Sequence, residues 1–150
     1  MQSALLNSIG TDEHIREQAL DPTRSFIVQA PAGSGKTGLL TQRFLVLLSI
    51  AEVAPEECLA ITFTRKAAAE MRDRILFALE RAKNPIPPSD LYEQKTWRLA
   101  CRVLARDRLL GWDLLHNPNR LKIQTIDAFC ASLTRQMPIL SRDRKSTRLN

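Results

Sequence analysis

Ala30-Pro-Ala-Gly-Ser-Gly-Lys-Thr37 follows the spacing G-x-x-x-x-G-K-[ST], with Ala30 in the place of the first glycine. Before it stands Phe26-Ile-Val-Gln29, a short apolar run that predicts a strand. After it comes Gly38-Leu-Leu-Thr-Gln-Arg-Phe-Leu-Val-Leu-Leu48, whose Leu40, Phe44, Leu47 and Leu48 recur at helical spacing. Strand, glycine-rich turn and helix form the context that separates a phosphate-binding loop from a flexible loop with an incidental lysine. Gly33 and Gly35 let the backbone approach a phosphate and adopt dihedrals that a Cβ would forbid. The N–H groups from about Gly33 to Thr37 would then converge at a helix N-terminus carrying partial positive charge. Ala30, Pro31, Ala32, Gly33, Ser34, Gly35, Lys36 and Thr37 are therefore the expected ATP site. In it Lys36 reaches the β- and γ-phosphates, and the Thr37 hydroxyl ligates Mg²⁺.

Outward from this loop, the order of elements is alternating. Residues 1–24 are a polar lead-in, with Thr11-Asp-Glu-His-Ile-Arg-Glu-Gln-Ala-Leu20 as a short helix capped by Thr11 or Asp12. Asp21-Pro22 ends it, because a residue before proline is pushed out of the α region. Beyond the loop helix, Cys58-Leu-Ala-Ile-Thr-Phe63 is a continuous apolar run suited to a strand of a parallel sheet. Thr64 to Leu79 is rich in helix formers. Met71, Ile75, Ala78 and Leu79 form its inward stripe, with Glu70 and Arg74 as an i,i+4 pair outside. The prolines of Asn84-Pro-Ile-Pro-Pro-Ser89 stop that helix. Another begins at Asp90, with Trp97, Ala100, Cys101 and Leu104 on one face, and Leu109 to Leu115 is a short helix or irregular segment. Leu121-Lys-Ile-Gln-Thr125 alternates as a third strand. Asp127 is the expected cap of a last helix running to Arg135, with Pro138 past its end. This is an α/β pattern with a mostly parallel sheet. Three strands complete only part of a sheet, so an apolar edge should be left bare.

The chain has 150 residues, 44% hydrophobic and 25% charged, which suffices for one domain with a core of its own. It contains no apolar run of membrane-spanning length and no secretory pattern at its start. Cys58, Cys101 and Cys130 are far apart and odd in number, which predicts reduced, mostly buried thiols and a cytoplasmic location. The formal charge of +6 permits a polyanionic partner. Asp143-Arg-Lys-Ser-Thr-Arg-Leu-Asn150 matches the translation of a common sequencing adapter and is expected to be a non-native tail. Without its net +2 the charge is +4.

Three stretches together resemble the UvrD/Rep class of DNA helicases, in particular the AddA- and RecB-like helicase–nucleases. They are the loop Ala30–Thr37, the fifteen residues Ile61-Thr-Phe-Thr-Arg-Lys-Ala-Ala-Ala-Glu-Met-Arg-Asp-Arg-Ile75, and Gln124-Thr-Ile-Asp-Ala-Phe-Cys130. The resemblance spans about Arg16 to Arg142, and its second stretch is the most specific. It implies that residues 25–142 are an incomplete first RecA-like P-loop lobe with a helical insertion. It implies an ATP- and Mg²⁺-dependent 3′–5′ helicase of repair or recombination, with single-stranded DNA and a second helicase–nuclease subunit as partners. It also places the second and third stretches on the DNA side of the lobe. There Phe63 stacks a base, Thr62, Thr64 and Thr125 bond phosphate or sugar, and Arg65 or Lys66 neutralises phosphate. Each of these residues also has a structural reading: Phe63 as core, Lys66 as a solvated helix residue, Thr125 as the end of a strand. Arg65 stands where many members have asparagine, Asp127 where many have histidine, and Gly38 where many have an arginine beside adenine. The adenine-reading glutamine of the family has its nearest counterpart in Gln18, with Arg16 closer to the usual spacing.

Trp97 reads as core, Trp112 as undecided, and His14 and His116 as surface residues. These 150 residues hold no apolar strand ending in Asp-Glu, no second lobe and no nuclease segment. The chain by itself is thus expected to bind nucleotide without hydrolysing it or unwinding DNA. Two other readings remain open from sequence: a different P-loop enzyme such as a small-molecule kinase, and a non-catalytic nucleotide-gated DNA-binding module.

Overall fold

The computed structural model describes residues 12–137. The expectations for Thr11, Pro138 and residues 143–150 lie outside that range. A first helix, α1, covers residues 12–18. It is followed by α2 (Lys36–Ile50), β1 (Leu59–Thr62), α3 (Arg65–Arg81), α4 (Leu91–Leu110), β2 (Lys122–Thr125) and α5 (Ile126–Gln136), with 3₁₀ turns at Pro55–Glu57 and Pro118–Arg120. β1 and β2 pair in parallel, Leu59 opposite Lys122 and Thr62 opposite Thr125. The α3–α4 crossover joins them, as a parallel pair requires.

The period of two in each strand sorts its side chains. Ile123 and Thr125 point into the protein and are 1% and 9% exposed, whereas Leu59 and Ile61 point the other way and are about half exposed. The inner face meets α3, whose Ala68, Met71, Ile75, Ala78 and Leu79 are all buried. The stripe Met71, Ile75, Ala78 and Leu79 expected from spacing is thus the packed face. α4 lays Leu99, Ala100, Val103 and Leu104 against both α2 and α3. α2 contributes Phe44, Leu45, Val46 and Leu48. Burying side chains such as Leu45, Ile75 and Leu79 stabilises the fold by about 1.5–3 kcal/mol each.

Trp112 closes this core. It is 2% exposed, and its indole N–H donates to the Val53 carbonyl at 3.0 Å. α4 runs on through Leu110 to end at Gly111 with φ 65°, so Leu109 belongs to that helix. Arg106 donates to the Ala51 carbonyl at the end of α2, and Arg72 reaches across to the Ile123 carbonyl of β2 at 2.7 Å. Each guanidinium gives a side-chain donor to a backbone carbonyl of another element.

Several expectations are corrected. Phe26–Gln29 forms no strand: among the described residues no second segment pairs with it in a ladder, and Ile27 is 99% exposed. The sheet among the described residues therefore has two strands rather than three. Leu40 faces outward, half exposed, while Leu39, Thr41 and Gln42 turn inward. Glu70 pairs with Lys66 at 4.0 Å instead of with Arg74. Thr125, not Asp127, caps α5, its Oγ1 accepting from the Ala128 N–H at 3.2 Å. Trp97 is half-buried, with its N–H on the Asn84 carbonyl, rather than core. Of the thiols only Cys58 is buried, which pushes its pKa up to about 11; Cys101 is half-buried and Cys130 exposed. His116 is a surface residue, held on Asp113. An apolar surface is left uncovered, as expected for a partial sheet: Leu59 and Ile61 on β1 and Ile126 and Leu133 on α5 are all more than 40% exposed, and α5 buries none of its residues.

Candidate phosphate-loop and nucleic-acid sites

Between Gln29 and α2 the chain makes the turn that the glycine spacing demands. Gly33 has φ 80° and Gly35 φ 82°, both left-handed values that a Cβ would strain. Gly35 is the N-cap of α2, and Lys36 and Thr37 are its first residues. Among the described residues, the N–H groups of Lys36 and Thr37 find no acceptor, and no acidic side chain lies in the first turn. The positive end of the helix is therefore uncompensated and open to an anion.

The rest of the loop is held by polar contacts. Lys36 Nζ donates to the Ala30 carbonyl, curling the lysine back over the loop. Ser34 N–H donates to the Pro31 carbonyl, and Arg16 Nη2 donates to the Ser34 carbonyl at 2.6 Å. Ser34 Oγ is buried without a partner. Pro31, Ala32, Gly33 and Thr37 are exposed. Two hollows flank the loop. One, of about 370 Å³, runs from Gln18 and Phe26 along Ala30, Pro31 and Ser34 to Lys36. The other, of about 490 Å³, lies between Gly33–Gly38 and the pair Arg74 and Tyr92. The residues fit a nucleoside triphosphate with Mg²⁺. The loop offers free amides, a lysine and a Thr37 hydroxyl, and a Cβ on Gly33 would meet open space, so the strain there comes from the backbone alone. Bound there, the triphosphate would supply the anhydride whose cleavage releases energy.

Gln18 lines the first hollow, with its amide on His14 at 3.1 Å. Arg16 touches the loop more directly than Gln18 does. The lead-in is anchored by Arg43, which donates to the carbonyls of Ala19, Asp21 and Arg24. The guanidinium groups of Arg24 and Arg43 each lie over the Phe26 ring, 5.3 Å from its centre. Arg16 stands out in the sequence only by its distance from the loop and Arg43 not at all, because nothing in their spacing marks a backbone carbonyl as the partner.

The second group of residues gathers at the carboxyl ends of β1 and β2, where ligands bind in open parallel sheets. Thr62 and Thr125 are ladder neighbours. Thr62 Oγ1 donates to the Thr64 carbonyl, and Thr64 Oγ1 caps α3 by accepting from Ala67 N–H at 3.1 Å. Two threonine hydroxyls are thus engaged in shaping the turn after β1, and that of Thr125 caps α5. Phe63 is 94% exposed and is not core. Arg65 and Lys66, both exposed, open α3, and its first turn holds no acidic residue. Two cations at the positive end of a helix repel its dipole. Together they make an anion-attracting spot beside a bare aromatic ring.

Part of the sequence is similar to that of known proteins. DNA helicase II of Escherichia coli (strain K12) is 45% identical over 73 residues, 49% of this chain and 10% of that protein. DNA helicase II of Salmonella typhimurium (strain LT2) is 47% identical over 73 residues, again 49% of this chain and 10% of that protein. ATP-dependent DNA helicase PcrA of Staphylococcus aureus (strain Mu50) is 45% identical over 74 residues, with the same two shares. The chain spans about a tenth of the length of these curated relatives. No solved structure matches it significantly. Residues 11–147 match the family described as UvrD/REP helicase N-terminal domain. That match runs through both the glycine turn and the carboxyl edge of the sheet, so the chain belongs to the UvrD/REP helicase N-terminal domain family, with a partial RecA-like P-loop fold.

Proposed function

We propose that this chain is the nucleotide-holding and part of the DNA-gripping surface of an ATP-dependent 3′–5′ DNA helicase of the AddA/RecB-like branch, acting in the cytoplasm in repair or recombination. Residues 25–142 form the incomplete first lobe. Residues 1–24 lead into it, and 143–150 are foreign to it. Ala30–Thr37 holds the phosphates of ATP, with Lys36 countering their charge and Thr37 on Mg²⁺. Gln18 stands near enough to the loop to contribute to the nucleotide site. Single-stranded DNA lies across Thr62, Phe63, Thr64, Arg65, Lys66 and Thr125, and a second helicase–nuclease subunit completes the assembly. By itself the chain binds ATP and turns none over.

The observation that carries this reading is Phe63. A phenylalanine left 94% exposed between a strand end and two cations costs solvation unless a planar partner covers it. A nucleobase is such a partner, and every base has a face to stack. The test is retention of a radiolabelled oligothymidine by the purified chain. Phe63→Ala should weaken it by about 1–3 kcal/mol, and binding should fall with added salt as Arg65 and Lys66 lose their counterion advantage. A chain that retains no oligonucleotide, as a small-molecule kinase would, overturns the DNA part of the reading. No helix among the described residues is long and apolar enough to cross a membrane.

A further inference from the structure

Within the loop Ala30–Thr37 the backbone carbonyls and amides are sorted. The carbonyls of Ala30, Pro31, Ser34 and Gly35 each accept a hydrogen bond, in turn from Lys36 Nζ, Ser34 N–H, Arg16 Nη2 and Leu39 N–H. Among the described residues the N–H groups of Gly35, Lys36 and Thr37 donate to nothing. Three successive free amides that start at a left-handed residue form a concavity suited to an anion. Three of the four donors are local, coming from the loop and the helix it opens. Arg16 is the exception, a side chain of α1 eighteen residues before Ser34.

The contact is close on both sides of one peptide bond. Arg16 Nη2 lies 2.6 Å from the Ser34 oxygen, and a Cβ on Gly35 would stand 3.2 Å from Nη2 and 3.4 Å from Nη1. The Ser34–Gly35 peptide is trans, so its carbonyl and its N–H point in opposite directions. Drawing the carbonyl toward α1 therefore turns the Gly35 N–H away from α1. With glycine on one side the peptide plane is free to rotate, and among the described residues no other donor reaches the Ser34 carbonyl. Arg16 is itself oriented from outside the loop. Its Nε donates to Asp12 Oδ2 at 3.2 Å, Lys95 of α4 pairs with Glu17 at 3.2 Å, and Arg43 of α2 holds the carbonyls of Ala19 and Asp21.

We propose that Arg16 is a positioning residue for the phosphate loop: by holding the Ser34 carbonyl it fixes the Ser34–Gly35 peptide plane, so that the Gly35 N–H joins those of Lys36 and Thr37 before any phosphate arrives. This rests on the reading of Ala30–Thr37 as a phosphate loop. Arg16 touches neither base nor phosphate in this role and acts only through the backbone. The anion then meets three aligned amides instead of having to turn one of them on binding.

The experiment measures calorimetric affinities of the 150-residue chain for Mg²⁺-ATP and for inorganic tripolyphosphate with Mg²⁺, together with the ¹⁵N–¹H signal of Gly35 in the ligand-free chain. Arg16→Ala should weaken both ligands by the same factor, about tenfold, the scale of one hydrogen bond from a charged donor. It should also shift the Gly35 signal before any ligand is added, which a loss of general stability would not single out. Arg16→Lys, which still offers a donor to a single carbonyl, should recover both affinities to within about threefold. Arg16 is no part of the hydrophobic core, so the urea midpoint of Arg16→Ala should stay that of the native chain. A loss confined to ATP would mean that Arg16 reads the nucleoside, and would overturn the proposal. A loss in both ligands with the free Gly35 signal unmoved would mean that Arg16 meets the phosphates directly, and would overturn it too. Failure of the native chain to bind either ligand would overturn the phosphate-loop reading, and this proposal with it.

Discussion

Two segments of the molecule share a plan of apolar run, turn and helix, and they are held in different ways. In residues 59–81 the run lies beside β2 in a parallel ladder, α3 packs five buried side chains beneath it, and Arg72 fastens helix to neighbouring strand. In residues 26–50 the helix is equally well packed, yet among the described residues the run before it pairs with no strand. Its Phe26 is gripped by two arginines and its Ile27 is bare. The turn between run and helix nevertheless keeps both glycines in the left-handed region. A turn is set by the dihedrals of its own residues, whereas a strand needs a neighbour to receive its hydrogen bonds. Among the described residues the phosphate loop therefore keeps its turn without a paired strand to brace it.

This contrast can be broken at three strengths. Ile75→Ala, in the fully buried centre of α3, should cost about 2–5 kcal/mol of stability, read from urea unfolding. A smaller loss would mean that the ladder, rather than the helix stripe, carries the first segment. Thr64→Ala removes the cap that joins β1 to α3 and should cost about 1 kcal/mol. Thr64→Ser should restore most of it, and equal losses in both variants would assign the effect to something other than the cap. Ile27→Ser should change stability by less than about 0.5 kcal/mol, because the side chain already faces water. A loss above about 1 kcal/mol would show that the run is packed after all, and would erase the difference between the two segments.

What the sequence disclosed follows the same division. The inward stripe of α3, the start of α4 at Asp90 and the bend at Gly33 and Gly35 rest on residues a few positions apart, and each is legible from the sequence. The sequence alone puts the cap of α5 two residues late, because Thr125 and Asp127 are both competent caps and only the end of β2 decides between them. Trp97 reads as part of a stripe, but its position is set by the carbonyl of Asn84, thirteen residues away. The candidate site divides likewise. Lys36 and Thr37 announce themselves by motif, while Arg16, Arg74 and Tyr92 reach the loop only through the packing of α1, α3 and α4 around it.

Trp112 and Trp97, the two tryptophans of the chain, sit in opposite surroundings. The first is sealed in the core with its N–H satisfied, and the second forms a wall of a cleft between α3 and α4. Their light emission should consequently differ in colour, Trp112 bluer and shielded from iodide, Trp97 redder and open to quenching. One chain then carries two built-in optical gauges. Loss of the blue component tracks melting of the core, and a change in the red one reports on the surface between α3 and α4, without any label being attached.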